Sequence, residues 1–374
     1  MKKVLVTGSE GFVGKNLIVT LAQRTDVEIV SFDIASEPTE LPHLLIGADY
    51  IYHLAGVNRP KNLDEFVTGN AGLTQTIVSI LKNEGKKTPL VLSSSIQAAL
   101  DNPYGRSKKE AEDAVFEYGL ITGAPVYVYR MPNLFGKWCR PNYNSAVATF
   151  CHNIAHNLPI QINDPNVVMN LAYIDDVVRS FISILDGDLV AQESFCQVQP
   201  VHTATLGDIA ELIRSFKESR ELKSIPDMAD PFAKKLYSTY LSYLPTDQFS
   251  YPLKMNRDDR GSFTEFIKSN DRGQVSINIS KPGITKGNHW HNTKNEKFLV
   301  VSGNGMIRFR KIGSEDIICY PVSGDKLEVV DIPCGYTHNI TNTGETDMVT
   351  VMWANEPFDP ENPDTFFESV EGIV

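Results

Sequence analysis

Three histidines and one glutamate in the last quarter of the chain have the types and spacing for metal chemistry. His289 and His291 are two residues apart, so on a strand both point to one face. Glu296 follows a polar, turn-like run at 292–295, and His338 stands just after the turn Pro333-Cys334-Gly335. Three imidazoles and a carboxylate make a first shell for a divalent transition metal, with room for a water or substrate. Zinc fits this donor set first, and Mn, Fe or Ni would also take it. Histidines lining a barrel without metal are the alternative.

A different set of residues stands at the front. An apolar run enters Gly8-Ser9-Glu10-Gly11-Phe12-Val13-Gly14, and a helical pattern starts near Phe12. Glycines there permit a tight turn and let the backbone approach a pyrophosphate at a helix N-terminus. Asp33 ends the next apolar run, where a carboxylate would meet the ribose 2′-hydroxyl of NAD and repel the 2′-phosphate of NADP. No Lys or Arg lies between Thr25 and Asn58 to receive that phosphate. A turn aspartate after a strand would look the same.

Further on, Ser93-Ser94-Ser95 follows an apolar strand, and Tyr104 and Lys108 stand four apart, on one helix face. A free tyrosine has a pKa near ~10, and bringing it to ~7 takes roughly 4 kcal/mol of preferential phenolate stabilisation. A nearby ammonium and a cationic nicotinamide ring are charges of that kind. Ser95, or alternatively Ser94, would hydrogen-bond a substrate oxygen, and Tyr104 would pass it a proton as hydride arrives.

These groups need elements to hold them. Short apolar runs at 3–7, 28–33, 50–55, 90–94 and 126–129 alternate with helical patterns, which reads as a parallel sheet covered by helices. A helix is expected from 206 to about 222, and a helix-containing connector over 226–252. Beyond about 258 the strand-like runs 274–279, 297–301, 305–309, 326–332 and 348–353 are separated by Gly, Pro, Asn and Asp, suggesting an all-β barrel or sandwich. Two domains follow, 1–245 and 246–374.

The 374 residues carry a net charge of −11, which argues against nucleic-acid or anionic-membrane surfaces. Five scattered cysteines without a CxxC pair fit free thiols in a reducing cytoplasm. No apolar stretch has the length of a signal core or a membrane span.

The front half resembles the extended short-chain dehydrogenase/reductase family. The likeness rests on Gly8-x-x-Gly11-x-x-Gly14, His53-Leu54-Ala55-Gly56, Asn70, Ser95, Tyr104-x-x-x-Lys108, Arg130-Met-Pro-Asn133 and Tyr173-Ile-Asp175. It implies a Rossmann-type sheet, a cofactor held by the glycine loop and residues 54–56, catalysis by Ser95, Tyr104 and Lys108, and a nucleotide-sugar pocket reached through Asn133. Tyr104 follows Ser95 by only nine positions, where many relatives insert a loop.

The back half resembles the cupin superfamily. Gly283-x5-His289-x-His291-x4-Glu296-x6-Gly303 matches the first cupin motif, and Pro333-x-Gly335-x2-His338-x3-Asn342 most of the second. Asp258-Asp-Arg260-Gly-Ser-Phe263-Thr-Glu265 is similar to a segment of nucleotide-sugar 3,5-epimerases of the RmlC type, which implies that Arg260, Phe263 and Glu265 contact the sugar nucleotide. An Arg/Glu-decorated edge strand is the plainer account. The epimerase histidine base of that family aligns with His289, here read as a metal ligand. Lys286, Tyr336 and Glu296 are open substitutes.

Taken together, the chain resembles a family of bifunctional capsular-polysaccharide enzymes that join such a reductase to a cupin. That implies 3-epimerisation and 4-reduction of a UDP-4-keto-6-deoxy-N-acetylhexosamine, with NADPH, zinc and a homodimer. Asp33 keeps NADH open. Two other readings stand beside it: a reductase whose cupin only binds or dimerises, and a nonenzymatic dinucleotide sensor. The retained Tyr/Lys pair speaks against the last.

Overall fold

Val, Ile, Leu and Tyr dominate the early apolar runs because the inner strands of the sheet are buried on both faces, while edge strand β2 is partly exposed. β1 (Lys2–Thr7), β2 (Val27–Phe32), β3 (Tyr50–His53), β4 (Leu90–Ser95) and β5 (Val126–Met131) form one parallel sheet in the order β2-β1-β3-β4-β5. Val4 and Val6 of β1 pack with Leu17 and Phe181, while Leu5 joins Leu45 and Ile77 in a second core. The order reverses between β1 and β3, which leaves a crevice outside the carboxyl ends of the strands. The computed structural model describes residues 1–60, 62, 64–189, 195–269 and 271–372.

Compact packing divides the chain into two units. One comprises Met1–Ser215 and Ala229–Pro245, the other Phe216–Met228 and Thr246–Val374. The first also holds a small sheet of β6 (Asn133–Phe135), β7 (Val168–Tyr173) and β8 (Val201–Thr205). The helix expected after residue 206 is Leu206–Leu222, and the division between the units falls within it. The connector holds the helix Pro231–Leu241, started by the Asp230 side chain accepting from the Phe232 amide.

The second unit is the cupin barrel. Its strands are β9 (Asn256–Asp258), β10 (Gly261–Ser269), β11 (Gly273–Ser280), β12 (Thr285–Trp290), β13 (Glu296–Ser302) and β14 (Asn304–Lys311). They are followed by β15 (Ile317–Ser323), β16 (Val329–Ile332), β17 (Tyr336–Asn342), β18 (Met348–Ala354) and β19 (Phe366–Phe367). All pair antiparallel in two sheets, β16-β13-β18-β11-β10-β9 and β15-β14-β17-β12-β19. Phe298, Val300, Ile307, Phe309, Ile340 and Met348 fill the core. The strand expected from 326 starts only at Val329, because Ser323 and Lys326 bridge across a turn.

Side-chain alternation in β11 runs against the usual pattern. Gln274, Ser276, Asn278 and Ser280 are buried, while Val275, Ile277 and Ile279 are only half-buried. Inward polar residues on a barrel strand mark a lining for something polar rather than a hydrocarbon core.

Candidate functional site

In the first unit the glycine loop occupies the end of β1 at the reversal of strand order. Gly8 has φ +71°, and a Cβ there would come 2.6 Å from the Ala55 amide nitrogen. A Cβ at Gly14 would collide with the Gly8 carbonyl oxygen. Only glycine lets this helix and this strand approach so closely. The helix Phe12–Leu21 starts with no side-chain cap from Gly11. Phe12, Val13 and Leu54 pack against the core, so backbone is what they offer a ligand. Uncapped N–H groups at a helix start suit a pyrophosphate. Asp33 turns its carboxylate back to this loop, accepting the Glu10 amide at 2.7 Å and its neighbour Ile34 at 2.8 Å.

Ser95, Tyr104 and Lys108 converge beside that loop. Ser95 caps the short turn Ile96–Ala99 by accepting the Gln97 amide at 3.2 Å. The next helix, Pro103–Thr122, starts at once, with Asn102 accepting the Gly105 amide at 2.7 Å. A Cβ on Gly105 would run into the carbonyl oxygens of Gln97 and Leu100. This close approach is how eight intervening residues suffice between serine and tyrosine. Burial raises the Tyr104 pKa, and a hydrogen bond from the Ser95 side chain opposes it. The Lys108 ammonium lies 5.9 Å from the Tyr104 ring centre and donates to the Ser93 carbonyl at 3.1 Å. Burial lowers its pKa to about 8, against the pull of Glu112. Gly56 adjoins it: a Cβ there would sit 3.0 Å from the ammonium nitrogen and 2.9 Å from Asn70.

One turn beyond Lys108 lies a network that sequence reasoning missed. Glu112, fully buried, pairs with Arg130 through two hydrogen bonds of 2.9 and 2.7 Å and accepts the Ser94 hydroxyl at 2.6 Å. Ser94 is thereby engaged, and Ser95 is the serine that faces Tyr104. Arg130 also stacks 3.8 Å from the Phe195 ring centre. The helix spacing Lys108/Glu112 was the available signal. Asn133 is exposed at the head of β6, its amide 3.5 Å from the Asn170 carbonyl.

In the second unit, one potential ligand atom from each of His289, His291, Glu296 and His338 lies within 4.8 Å of the others. His289 and His338 are register partners on β12 and β17. A bulge at Gly287 and Asn288 (φ +105° and +62°) brings the two strands close there, and a Cβ at Gly287 would lie 2.8 Å from the His338 carbonyl. Glu296 begins β13. His291 lies one residue past β12, held by its Nδ1 donating to the Asp364 carbonyl at 2.6 Å.

The donor atoms fit a divalent metal. Nε2 of His291, Oε2 of Glu296 and both ring nitrogens of His338 are buried without a hydrogen-bond partner. Each orphaned polar atom would cost about 1–3 kcal/mol, so their convergence calls for a ligand. Burial pushes the His289 pKa down to about 4, and the neighbouring His338 adds to that, giving the neutral form a ligand must have. Burial would raise Glu296, but His291 and His338 outweigh it and hold the carboxylate well below its usual range.

A cavity of about 350 Å³ opens above this cluster, lined among others by Arg260, Phe263, Asn278 and Lys286. Glu265 is not part of the lining. Its carboxylate pairs with Lys268 at 2.9 Å and Lys223 at 3.4 Å. Tyr336 instead lines a separate groove with Phe309, Tyr320 and Val330.

Comparison with known proteins agrees with this architecture. The NAD dependent epimerase/dehydratase family matches residues 4–194, and the polysaccharide biosynthesis C-terminal domain matches residues 256–366. The chain belongs to the NAD dependent epimerase/dehydratase family. It is similar over nearly its whole length to the UDP-2-acetamido-2,6-beta-L-arabino-hexul-4-ose reductase of Pseudomonas aeruginosa. The two are 48% identical over 370 residues, 98% of this chain and 99% of the relative. The crystal structure of the capsular polysaccharide assembling protein CapF from Staphylococcus aureus matches with a TM-score of 0.93 at 56% identity, covering 98% of this chain and 100% of that one. A structure of CapF with the inhibitor 3-isopropenyl-tropolone matches at 0.88 and 53% identity, with coverage of 98% and 100%.

Proposed function

We propose that this chain performs two consecutive steps on a UDP-4-keto-6-deoxy-N-acetylhexosamine. The cupin unit inverts C3, and the Rossmann unit then reduces the C4 ketone with NADPH or NADH. The product is UDP-2-acetamido-2,6-dideoxy-L-talose, for capsule or surface polysaccharide. The observation that carries this reading is the Ser95–Tyr104–Lys108 arrangement beside the glycine loop, in a chain 48% identical throughout to a protein named as a UDP-keto-sugar reductase.

In reduction, Tyr104 must hold its proton until the ketone oxygen arrives. A phenol is already protonated at neutral pH, and burial raises the Tyr104 pKa further. Ser95 orients the ketone oxygen toward it. Gly8, Gly11, Phe12, Val13, Gly14 and the backbone of Leu54, Ala55 and Gly56 would hold the nicotinamide cofactor, which would supply the hydride. Tyr104 gives its proton to the new alkoxide, and Lys108 stabilises the phenolate that remains. Asp33 selects between the two nicotinamide cofactors at the ribose, and Asn133 lies on the sugar side.

In the cup, the C4 ketone makes the C3 proton acidic, because the resulting carbanion is an enolate. Arg260 and Phe263 are positioned in the lining to meet the sugar nucleotide, and Glu265 holds β10 through Lys268 and Lys223. His289, His291, Glu296 and His338 would hold a divalent metal, zinc first, which would supply Lewis acidity to the cup. A tropolone, the inhibitor in one CapF structure, has two adjacent oxygens that suit such an ion.

Further parts of the proposal are a homodimer and a cytoplasmic setting. Ile317, Ile318 and Tyr320 on edge strand β15, and Val329 on edge strand β16, are exposed and could meet a second copy. All five cysteines are free. Among the described residues, no helix is long and apolar enough to cross a membrane. The test is product NMR from the UDP-4-keto-6-deoxy substrate with NADH and NADPH compared. Consumption of nicotinamide with inverted C3 is expected. Reduction without inversion would reduce the cupin to a binding or dimerisation module.

A further inference from the structure

We infer that Lys286 is the base that removes the C3 proton in the cup, an inference that rests on the epimerase reading above. The histidine that aligns with the base of related epimerases, His289, belongs here to the four-residue cluster. Another group must do the work.

The lining leaves few choices. Outside the cluster, the ionisable side chains of the cavity are Arg257, Asp258, Arg260 and Lys286. A guanidinium does not give up its proton in proteins. Asp258 is held by Arg260 through hydrogen bonds of 2.9, 3.0 and 2.6 Å, and that pairing makes its carboxylate a weaker base. Tyr336 lies in another groove, and Glu296 is in the cluster.

Lys286 is built differently. Its amine donates to Asn278 Oδ1 at 2.7 Å and to the Ile279 carbonyl at 2.9 Å. Asn278 is buried and donates its own amide to Ser280 Oγ at 3.3 Å, so its oxygen is turned to the lysine. Two acceptors engage two N–H bonds of a neutral amine and leave its lone pair for the cavity that Lys286 lines. Arg257, Asp258 and Arg260, His289 from β12, Glu296 from β13 and His338 from β17 are the other charged or titratable groups that line this cavity. Burial lowers the Lys286 pKa; Asp258 opposes that and Arg260 assists it.

The step balances as follows. The Lys286 lone pair takes the C3 proton, the C3–H electron pair forms the C3–C4 double bond, and the carbonyl π pair moves to the C4 oxygen. Water on the opposite face returns a proton to C3 as the double bond closes back to the ketone. The ammonium then releases its proton to solvent.

The experiment follows deuterium entry at C3 in D2O without nicotinamide, using the full chain. Wild type is expected to exchange, at a rate that rises with pH as an amine deprotonates. Lys286→Arg keeps the cation but cannot act as a base. It should slow exchange by about 100-fold or more and lose that pH limb, with metal content and melting preserved. Lys286→Ala should regain exchange when a primary amine is added, in proportion to its free-base fraction, which a merely structural lysine would not show. Exchange by Lys286→Arg within a fewfold of wild type, or an alanine variant indifferent to amines, overturns the assignment. No exchange by wild type, with nicotinamide still consumed, would sink the epimerase reading itself and this inference with it.

Discussion

A lysine buried beside Tyr104 should leave a mark on stability, and Lys108 allows its size to be worked out. Its side chain is 7% exposed, and burial lowers its pKa from 10.5 to about 8. The unfolded chain keeps that proton up to the higher value. Between pH 8 and 10.5 the unfolded state therefore binds more protons, and folding stability rises with pH across that window. At ~1.4 kcal/mol per pKa unit, the rise is about 3 kcal/mol. Below pH 8 both states are protonated, and the folded state bears the whole penalty.

Lys108→Met keeps the stem and removes the charge. The variant should be more stable than wild type at neutral pH by up to about 3 kcal/mol, less about 1 kcal/mol for the lost hydrogen bond to Ser93. It should also lose ketone reduction, because the phenolate of Tyr104 then has no ammonium beside it. The assay is urea unfolding of the first unit read through Trp138, with Trp290 and Trp353 replaced by Phe, from about pH 7 upward. Wild type should gain on the variant as pH rises through 8 to 10.5. Parallel stability curves across that range would refute the argument.

Three other perturbations probe other parts of the molecule. Gly105→Ala would push the Tyr104 helix off the carbonyls of Gln97 and Leu100. It should cut reductase kcat by about 100-fold, with KM little changed, since misplacing a catalytic group by ~1 Å has that effect; unchanged kcat would show that the approach to Ser95 does not matter. Asp33→Ala removes the carboxylate that a 2′-phosphate would meet, and kcat/KM with NADPH relative to NADH should rise by about tenfold; an unmoved ratio would place the ribose elsewhere. Asp364→Ala removes the acceptor of the Asn292, Thr293 and Lys294 amides, whose hydrogen bonds hold the carbonyl that aims His291. Metal affinity, measured by competition with a chelator, should fall about 10–100-fold.

Local groups were readable in the sequence because their geometry is local. The glycine loop follows one strand and opens one helix, and Tyr104 and Lys108 share a helix face by spacing alone. The choice between Ser94 and Ser95 was not readable. It depends on Glu112, eighteen residues further on, being drawn by Arg130 under the sheet so that it takes the Ser94 hydroxyl. In the barrel, the four candidate ligand residues were visible, but strand alternation alone does not assemble them. β12 bulges at Gly287 and Asn288 and ends at Trp290, and His291 is aimed by a carbonyl seventy-three residues downstream.

The least readable feature is the one on which the chemistry proposed for the cup depends. Gly273-Gln-Val-Ser-Ile-Asn-Ile-Ser280 alternates apolar and polar as any half-buried strand does, and by hydrophobicity its Val and Ile residues belong inside. The barrel instead turns Gln274, Ser276, Asn278 and Ser280 inward. An empty hydrocarbon core would make that choice unfavourable, because each buried amide or hydroxyl needs a partner. Here the partners come from the strand itself and from β12 of the other sheet: Gln274 to Ser276, Asn278 to Ser280, and Lys286 back to Asn278. These side chains satisfy one another, and Asn278 and Lys286 of this set line the cavity. If Asn278→Leu filled the same volume and left deuterium exchange and its pH dependence at wild-type values, the polar wall would be only a packing solution, not the support of a base.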